Sequence, residues 1–284
     1  MKRVLNFFNL SIESNAPPRG SARGDELLGD SSTQNEVLNR GLERHIRFRK
    51  KDKRRVFTMS HFSVAVFSDG TKSVADLLAP YQENCFDNVP REYLVFTKDD
   101  DYDFDEEMQA CGYWENPNAK WDWCSIGGRW NDMLHLKSGR KGLKVKNDEE
   151  DRGPEYCSSA KVKDIDFAMD RAQYQESLRW WDVVVEGEPL RADEDIRDFA
   201  TIFRKEYLRR RFKNRELYAK TQASFSTYAV VMPDGKWISP GEMGWFGASS
   251  ETEEEACEWD LYYRERFIDT ANPEWTLTIV DCHI

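Results

Sequence analysis

Alternating apolar positions mark the beginning of the folded part of the chain. In the run 59–70, Phe62, Val64 and Val66 point to one side of an extended backbone, and Asp69-Gly70 supplies a turn. This period of two is typical of a half-buried strand. The pattern therefore predicts that the body of the protein starts near Met59 with a strand.

Apolar residues recur at helical spacing further along the chain. Two central stretches, 163–184 and 193–222, show such stripes and predict amphipathic helices. Shorter helices are predicted at 73–78, where Ser73 is a cap, and at 252–267, where glutamates occupy the first turn.

Strand patterns return on both sides of the central helices. The residues 225–232, 236–238 and 275–280 are rich in β-branched and aromatic side chains, and 133–145 has the pattern of a small hairpin. Strands from both ends of the body pair most simply if the helices between them are inserted. We therefore predict an α+β fold with a mostly antiparallel sheet, helices packed on one face and a two-helix insertion.

Three segments follow from these patterns. Residues 1–58 form a basic, Gly/Pro/Ser-containing arm, 59–160 with 221–284 form the α+β body, and 161–220 form the helical insertion. The basic run 44–55 is either a helix that contacts nucleic acid or an acidic surface, or a solvated tether.

The charge of the chain is unevenly distributed. Residues 1–58 carry thirteen Lys/Arg and seven Asp/Glu, a net charge of +6. Because the whole chain has a net charge of −11, residues 59–284 have a net charge of −17. An acidic body repels phosphates, which disfavours direct binding of nucleic acid by this part. With no run of eighteen apolar residues and no secretory signal pattern, we expect no membrane span and a cytoplasmic location.

The most distinctive stretch, 116–130, contains three tryptophans and a Gly-Gly pair. One interpretation is a ligand site formed by acidic, basic and aromatic side chains, and the other is a structural lock of the core. On the second interpretation Trp123 is buried, and its replacement by Ala costs about 3–5 kcal/mol of stability. The residues assigned to this structural motif are Trp121, Asp122, Trp123, Gly127, Gly128, Arg129 and Trp130.

Two charged segments are candidates for partner contact. The acidic segment 99–107 carries Asp99, Asp101 and Asp103 at calcium-loop spacing, but Phe104 and Ala110 occupy the positions that need Gly and Glu. It is therefore read as a solvated loop that attracts a basic partner, with no metal. The basic residues that we assign to partner binding, as an alternative to a merely solvated helix face, are Arg209, Arg210, Arg211 and Lys213.

The sequence contains none of the common catalytic or metal-binding motifs. Its six cysteines never form a CxxC pair, and the histidines His61, His135 and His283 are not tied to a nucleophile by spacing. Cys282 adjoins His283, so its thiol is either activated by an imidazolium or is an inert buried group. We predict no catalytic residue, no cofactor and no enzymatic activity.

Several blocks resemble a family of phage and prophage proteins. They are Ser60–Val66, Asn116–Trp123 with Ile126–Trp130, Pro233–Trp237 and Gly241–Gly247. Within that family the chain is similar to the Gabija anti-defence proteins. The resemblance implies a non-enzymatic inhibitor in the host cytoplasm that binds the nuclease subunit of the host Gabija complex, oligomerises around it, and blocks DNA binding and cleavage.

Two other functions remain open from the residues alone. One is an enzyme that acts on a nucleotide or another small host molecule, in a pocket beside Trp121, Asp122, Arg129 and His61. The other is a DNA mimic, in which the carboxylates of 99–107 imitate phosphates.

Overall fold

The computed structural model of the chain describes residues 61–85, 87–145, 152–201, 203–244 and 248–284. The predicted arm 1–58 and the end of the second Gly/aromatic block, 245–247, lie outside these residues. In chain order the strands are β1 (His61–Ser68), β2 (Val95–Lys98), β3 (Phe104–Asp105), β4 (Ala110–Glu115), β5 (Trp123–Ile126), β6 (Leu134–His135), β7 (Tyr156–Cys157), β8 (Ser159–Lys161), β9 (Ala229–Val231), β10 (Trp237–Ile238) and β11 (Thr276–His283).

The α-helices are short and five of them are described. They are α1 (Val74–Leu78), α2 (Arg171–Trp181), α3 (Lys205–Phe212), α4 (Arg215–Ala223) and α5 (Glu253–Tyr263). Helices α2 and α5 each continue into a wider π-helical turn, at Asp182–Glu186 and Arg264–Ile268 respectively.

The largest sheet joins the two ends of the described chain. Its strands follow the order β10-β9-β1-β11-β5, and β8 also pairs with β11. β1 and β11 pair antiparallel over their whole length, from His61 opposite His283 to Ser68 opposite Thr276. β1 and β9 are parallel, while the other pairs of this sheet are antiparallel. The α+β class with a mostly antiparallel sheet is thus confirmed.

Both faces of this sheet are buried, because alternate residues of β1 enter two different cores. Ala65 and Phe67 pack with the aromatic side chains of α5, including Tyr263. Val64 and Val66 on the opposite face pack in a core that contains Leu77 of α1 and Trp121. The expectation of helices on one face alone therefore needs correction, since the small α1 covers the second face.

The central helices share a third apolar cluster that is separate from the two faces of the sheet. Trp180, Trp181 and Val185 pack there with residues of α3 and α4, among them Phe212 and Tyr218. The apolar stripes predicted from the sequence thus face a common core, although the helices differ from those predicted.

The predicted helix at 163–184 begins later than expected. Asp170 caps α2 by accepting hydrogen bonds from the backbone N–H groups of Ala172 and Gln173, so Ile165 and Met169 precede the helix. The predicted helix at 193–222 is wrong as a single element. It is divided into a 3₁₀ turn at Ile196–Phe199, α3 and α4.

The break between α3 and α4 has a local cause. Lys213 adopts a left-handed backbone with φ of 60°, and Asn214 then caps α4 by accepting a hydrogen bond from the N–H of Leu217. An asparagine side chain competes with backbone bonding and therefore favours a cap over a helix interior.

The predicted hairpin at 133–145 is also wrong. Leu134 and His135 of β6 pair with β7, and Leu143 bridges to Ser159. The two halves of the predicted hairpin therefore bond to a later segment and not to each other. None of the helices in the described ranges is long and apolar enough to cross a membrane.

Candidate functional site

The tryptophan-rich stretch 116–130 leads into β5 and divides between the two faces of the large sheet. Trp121 is 6% exposed and belongs to the core that contains α1, whereas Trp130 is half-buried against the core that contains α5. Trp123 is 40% exposed. The expectation that all three indoles lock the core is therefore correct for Trp121 and Trp130 and wrong for Trp123, which lies at the first position of β5.

The Gly-Gly pair allows the chain to turn closely against β11. Gly127 and Gly128 have φ angles of 75° and 52°, and a Cβ on Gly128 would lie 2.4 Å from the side chain of Asp281. Because the glycine permits this approach, the N–H of Arg129 donates a 3.0 Å hydrogen bond to Oδ2 of Asp281. The side chain of Arg129 itself is exposed.

A row of three rings crosses the end of the sheet. In the register of the strands, His61 of β1 lies opposite His283 of β11, which lies opposite Trp123 of β5. The centroids of the two imidazoles are 5.0 Å apart, and the indole stacks on the His283 ring at 5.3 Å with an interplanar angle of 16°. These three residues therefore form one continuous surface at the edge of the core.

Each histidine of the row is held by a different carboxylate. Nδ1 of His61 lies 2.8 Å from Oδ1 of Asp281, and Nδ1 of His283 lies 2.6 Å from Oδ1 of Asp122. Asp281 is two residues from His283 on β11 and therefore shares its face of the sheet. Because an ionised carboxylate only accepts hydrogen bonds, we assign a proton to Nδ1 of both imidazoles.

This assignment leaves the two Nε2 atoms for other partners. Nε2 of His283 is buried and has no hydrogen-bond partner among the described residues. The whole His283 residue is only 7% exposed. Buried polar atoms without a partner are uncommon in folded proteins and are over-represented where a ligand or a reacting group completes the bonding.

The thiols beside this row point away from it. Cys282 lies between Asp281 and His283 on β11, so its side chain is on the opposite face, where it lies opposite Cys124. Burial raises the pKa of the Cys282 thiol well above its usual value, and hydrogen bonding to Cys282 lowers the pKa of Cys124. Activation of Cys282 by His283 is therefore not supported, and the interpretation of Cys282 as a buried thiol fits the structure.

The acidic segment 99–107 follows β2 and contains β3, in a separate three-stranded sheet with the order β2-β4-β3, so the expectation of a loop is wrong at Phe104–Asp105. Asp101 and Asp103 are exposed, and Asp99 accepts a 3.0 Å hydrogen bond from the N–H of Asp101. In the described ranges, no group of three or more His, Cys, Asp or Glu side chains is arranged to hold a metal ion.

The four basic residues assigned to partner binding all have acidic neighbours within the chain. Arg211 is buried and lies 3.3 Å from Asp260 of α5. Arg209, Arg210 and Lys213 are exposed and form ion pairs with Glu186, Glu253 and Glu254. Arg211 is therefore a structural residue of the helical region, while the other three remain on the surface.

The sequence prediction placed His61 and Asp122 in one candidate pocket but left His283 outside it, and it missed that each histidine pairs with a carboxylate. The missing residue is Asp281, which the sequence analysis did not consider. Its signal is the spacing Asp281-Cys282-His283 directly after the predicted strand 275–280. A continuation of that strand, as in β11, places the carboxylate and the imidazole on one face. Trp121, included in the predicted pocket, is instead buried on the other face of the sheet.

Comparisons with models of known protein families, with curated proteins and with solved structures found no match. The fold and the site together define an α+β protein in which the end of a six-stranded sheet carries two histidine–carboxylate pairs beneath an exposed tryptophan.

Proposed function

We propose that the chain is a phage-encoded inhibitor of bacterial anti-phage defence that binds the nuclease subunit of the host Gabija complex. On this proposal it acts in the host cytoplasm, assembles as an oligomer around the nuclease, and blocks DNA binding and cleavage without a cofactor. The blocks of sequence that resemble the Gabija anti-defence family are the origin of this proposal.

The observation that carries the proposal is the surface of the small β2-β4-β3 sheet. It combines the exposed carboxylates of Asp101 and Asp103 with the exposed apolar side chains of Val95, Phe104 and Met108, of which Phe104 is 56% exposed. Protein interfaces commonly have apolar anchors surrounded by a polar rim. Acidic groups in that rim complement the basic surface with which a nuclease handles DNA.

The decisive experiment is co-purification of the full chain with the Gabija complex, followed by sizing and by an assay of DNA cleavage. We expect a large stoichiometric complex with suppressed cleavage. Phe104→Ala removes an exposed side chain and should weaken binding strongly without changing the melting temperature. A chain that stays separate from the complex and leaves cleavage unchanged contradicts the proposal.

A set of neutralised variants separates anchored binding from imitation of DNA. The variant with Asp99→Asn, Asp101→Asn and Asp103→Asn should mainly slow association with the nuclease, because apolar contacts remain. Complete loss of binding would favour the DNA mimic. The matched control removes the same charge from exposed residues elsewhere, with Glu176→Gln, Asp193→Asn and Glu206→Gln.

One specific observation favours a second candidate function, an enzyme that acts on a nucleotide or another small host molecule. It is the pair of carboxylate-held histidines at the end of the sheet, His61 with Asp281 and His283 with Asp122. A carboxylate that orients Nδ1 of a histidine is a recurring arrangement in general acid–base catalysis.

A further inference from the structure

We propose that His61 and His283 form a general acid–base pair that hydrolyses a phosphodiester bond of a small nucleotide bound against Trp123. This inference rests on the second candidate function and adds to it the bond that is broken and the role of each residue. It is independent of whether the chain also binds a nuclease.

The orientation of the two imidazoles is the first argument. Asp281 and Asp122 hold the two Nδ1 atoms at 2.8 and 2.6 Å, which fixes the tautomers and directs both Nε2 atoms away from the carboxylates. The ring centroids lie only 5.0 Å apart. Two imidazoles at this separation can approach one tetrahedral phosphate group from different sides.

The second argument is the buried Nε2 of His283, which lacks a hydrogen-bond partner. An unpartnered polar atom in a buried side chain costs about 1–3 kcal/mol. Within the described part of the chain, the indole N–H groups of the core residues Trp121 and Trp180 also lack a partner, so this atom supports a ligand site only together with the neighbouring imidazole and the two carboxylates. The indole of Trp123 stacks on this ring but is itself 40% exposed. The indole is therefore the partly exposed neighbour of the ring, and on this proposal its rotation admits the substrate.

The chemical class of the substrate follows from the groups around the row. Arg129, whose backbone N–H bonds to Asp281 and whose cationic side chain is exposed, and a protonated imidazole favour an anionic phosphate. An exposed indole provides a face on which a nucleobase can stack. The net charge of −17 on residues 59–284 repels long polyanions, so the site suits a mono- or dinucleotide and not a DNA duplex.

The reaction needs water as the only co-reactant. The neutral imidazole of the pair accepts a proton at Nε2 from a water molecule, whose oxygen forms a new bond to phosphorus. The bond from phosphorus to the leaving oxygen breaks, and the second imidazole, protonated at the start, donates its Nε2 proton to that oxygen. Exchange with solvent then removes the proton from the first imidazole and returns one to the second, and the products are a phosphomonoester and an alcohol.

The test is hydrolysis by the full chain of bis(p-nitrophenyl) phosphate, of 2′,3′- and 3′,5′-cyclic mononucleotides, and of linear and cyclic dinucleotides, followed by phosphorus NMR. We expect turnover of at least one phosphodiester, with a bell-shaped dependence of kcat/KM on pH. His61→Asn and His283→Asn retain an amide N–H near the Nδ1 position and remove Nε2. Each should lower kcat about 100-fold or more with little change in melting temperature.

The matched control is His135→Asn. His135 is an exposed histidine whose Nδ1 lies 3.8 Å from Asp166, so it has the same pair of residue types outside the row. This variant should keep full activity. Loss of activity in the His61 and His283 variants beside an active His135 variant, all purified in the same way, excludes a contaminating hydrolase.

Three outcomes would overturn the inference. The first is a wild-type chain that leaves the whole phosphodiester panel intact, and the second is activity in the His61 and His283 variants equal to that of the His135 control. Turnover of a different nucleotide bond that depends on His61 would leave the second candidate function standing and overturn the phosphodiester assignment. Nuclease binding measured on the same variants is a separate readout, because the acidic sheet β2-β4-β3 is intact in all of them.

Discussion

Two regions of the molecule bury charged side chains, and they do so in different ways. In the helical region, Arg211 and Asp260 are both buried and face each other at 3.3 Å, and Ser226 donates a further hydrogen bond to Asp260. At the end of the sheet, Asp281 and Asp122 each bind one nitrogen of a histidine. Arg211 and Asp260 neutralise each other. The carboxylates at the end of the sheet instead bond only to Nδ1 of each histidine, which leaves Nε2 for a ligand.

The comparison separates structural from functional burial of charge. Burial raises the pKa of Asp260 to about 6 although Arg211 opposes this change, so the carboxylate is ionised at a cost in stability. The burial of Asp260 has a structural explanation, because its ion pair with Arg211 connects α5 to α3. Nε2 of His283 connects no two elements in this way, because that atom has no hydrogen-bond partner among the described residues.

The largest expected effect is on the helical pair. Arg211→Ala removes both the charge opposite Asp260 and the packed stem of the arginine, and we expect a loss of about 3–5 kcal/mol in the free energy of unfolding, measured with urea. Asp260→Asn should cost less, because burial already disfavours the ionised carboxylate. Equal losses for the two variants would contradict the raised pKa of Asp260.

The pH dependence of stability tests the same pair of residues, with a somewhat smaller expected change in the free energy of unfolding. Between its ordinary value of 3.8 and the raised value of about 6, the pKa of Asp260 makes the folded state bind more protons than the unfolded state. The contribution of this group to stability is therefore greatest below pH 4 and is lost as the pH rises to 6, by roughly 3 kcal/mol.

Urea unfolding of the wild type and of Asp260→Asn between pH 3.5 and pH 7 isolates this term. The difference in unfolding free energy between the two proteins should change over that window and be constant above it. A difference that is the same at all pH values would show that Asp260 titrates normally.

Local signals were sufficient for the elements that depend on neighbouring residues. The alternation at Phe62, Val64 and Val66 predicts β1, and the helix after Thr252 is capped as expected, with Glu255 completing a capping box. Position 213 shows the limit of such signals. A left-handed lysine has no pattern of its own, so an apolar stripe continues across the break between two helices.

The candidate site could be predicted only in part, because its contacts are distant in sequence. His61 and Asp281 are 220 residues apart, and His283 and Asp122 are 161 residues apart. The register of β1 with β11 brings the first pair together and the register of β11 with β5 brings the second, and a single sequence specifies neither register. The exposure of Trp123 has the same origin, since it depends on the end at which β5 joins the sheet.

A medium effect is expected at the carboxylate that joins the sheet end to the Gly-Gly turn. Asp281 accepts hydrogen bonds from His61 and from the N–H of Arg129, one at each oxygen. Asp281→Asn keeps one acceptor and turns an N–H₂ group toward the other donor. We expect a loss of about 1–3 kcal/mol in stability, because one buried donor is left unsatisfied.

The same variant sharpens the comparison through the protonation of His61. Long-range proton–nitrogen NMR spectra should show the Nδ1–H tautomer of His61 in the wild type and a mixture of tautomers in Asp281→Asn. A tautomer that does not respond would show that Asp281 has only a structural role, as Asp260 has.

The smallest effect on stability is expected at Trp123. Its indole is 40% exposed and stacks on His283, so Trp123→Ala should cost only about 1 kcal/mol. Trp121→Ala is the contrasting variant, because Trp121 is 6% exposed and its replacement should cost about 3–5 kcal/mol. Urea unfolding of both variants tests this difference, and equal losses would restore the structural interpretation of Trp123. Diethyl pyrocarbonate modification of His283 is the second measurement on Trp123→Ala. Faster modification in a variant of nearly unchanged stability will show that the indole covers a ligand site and does not lock a core.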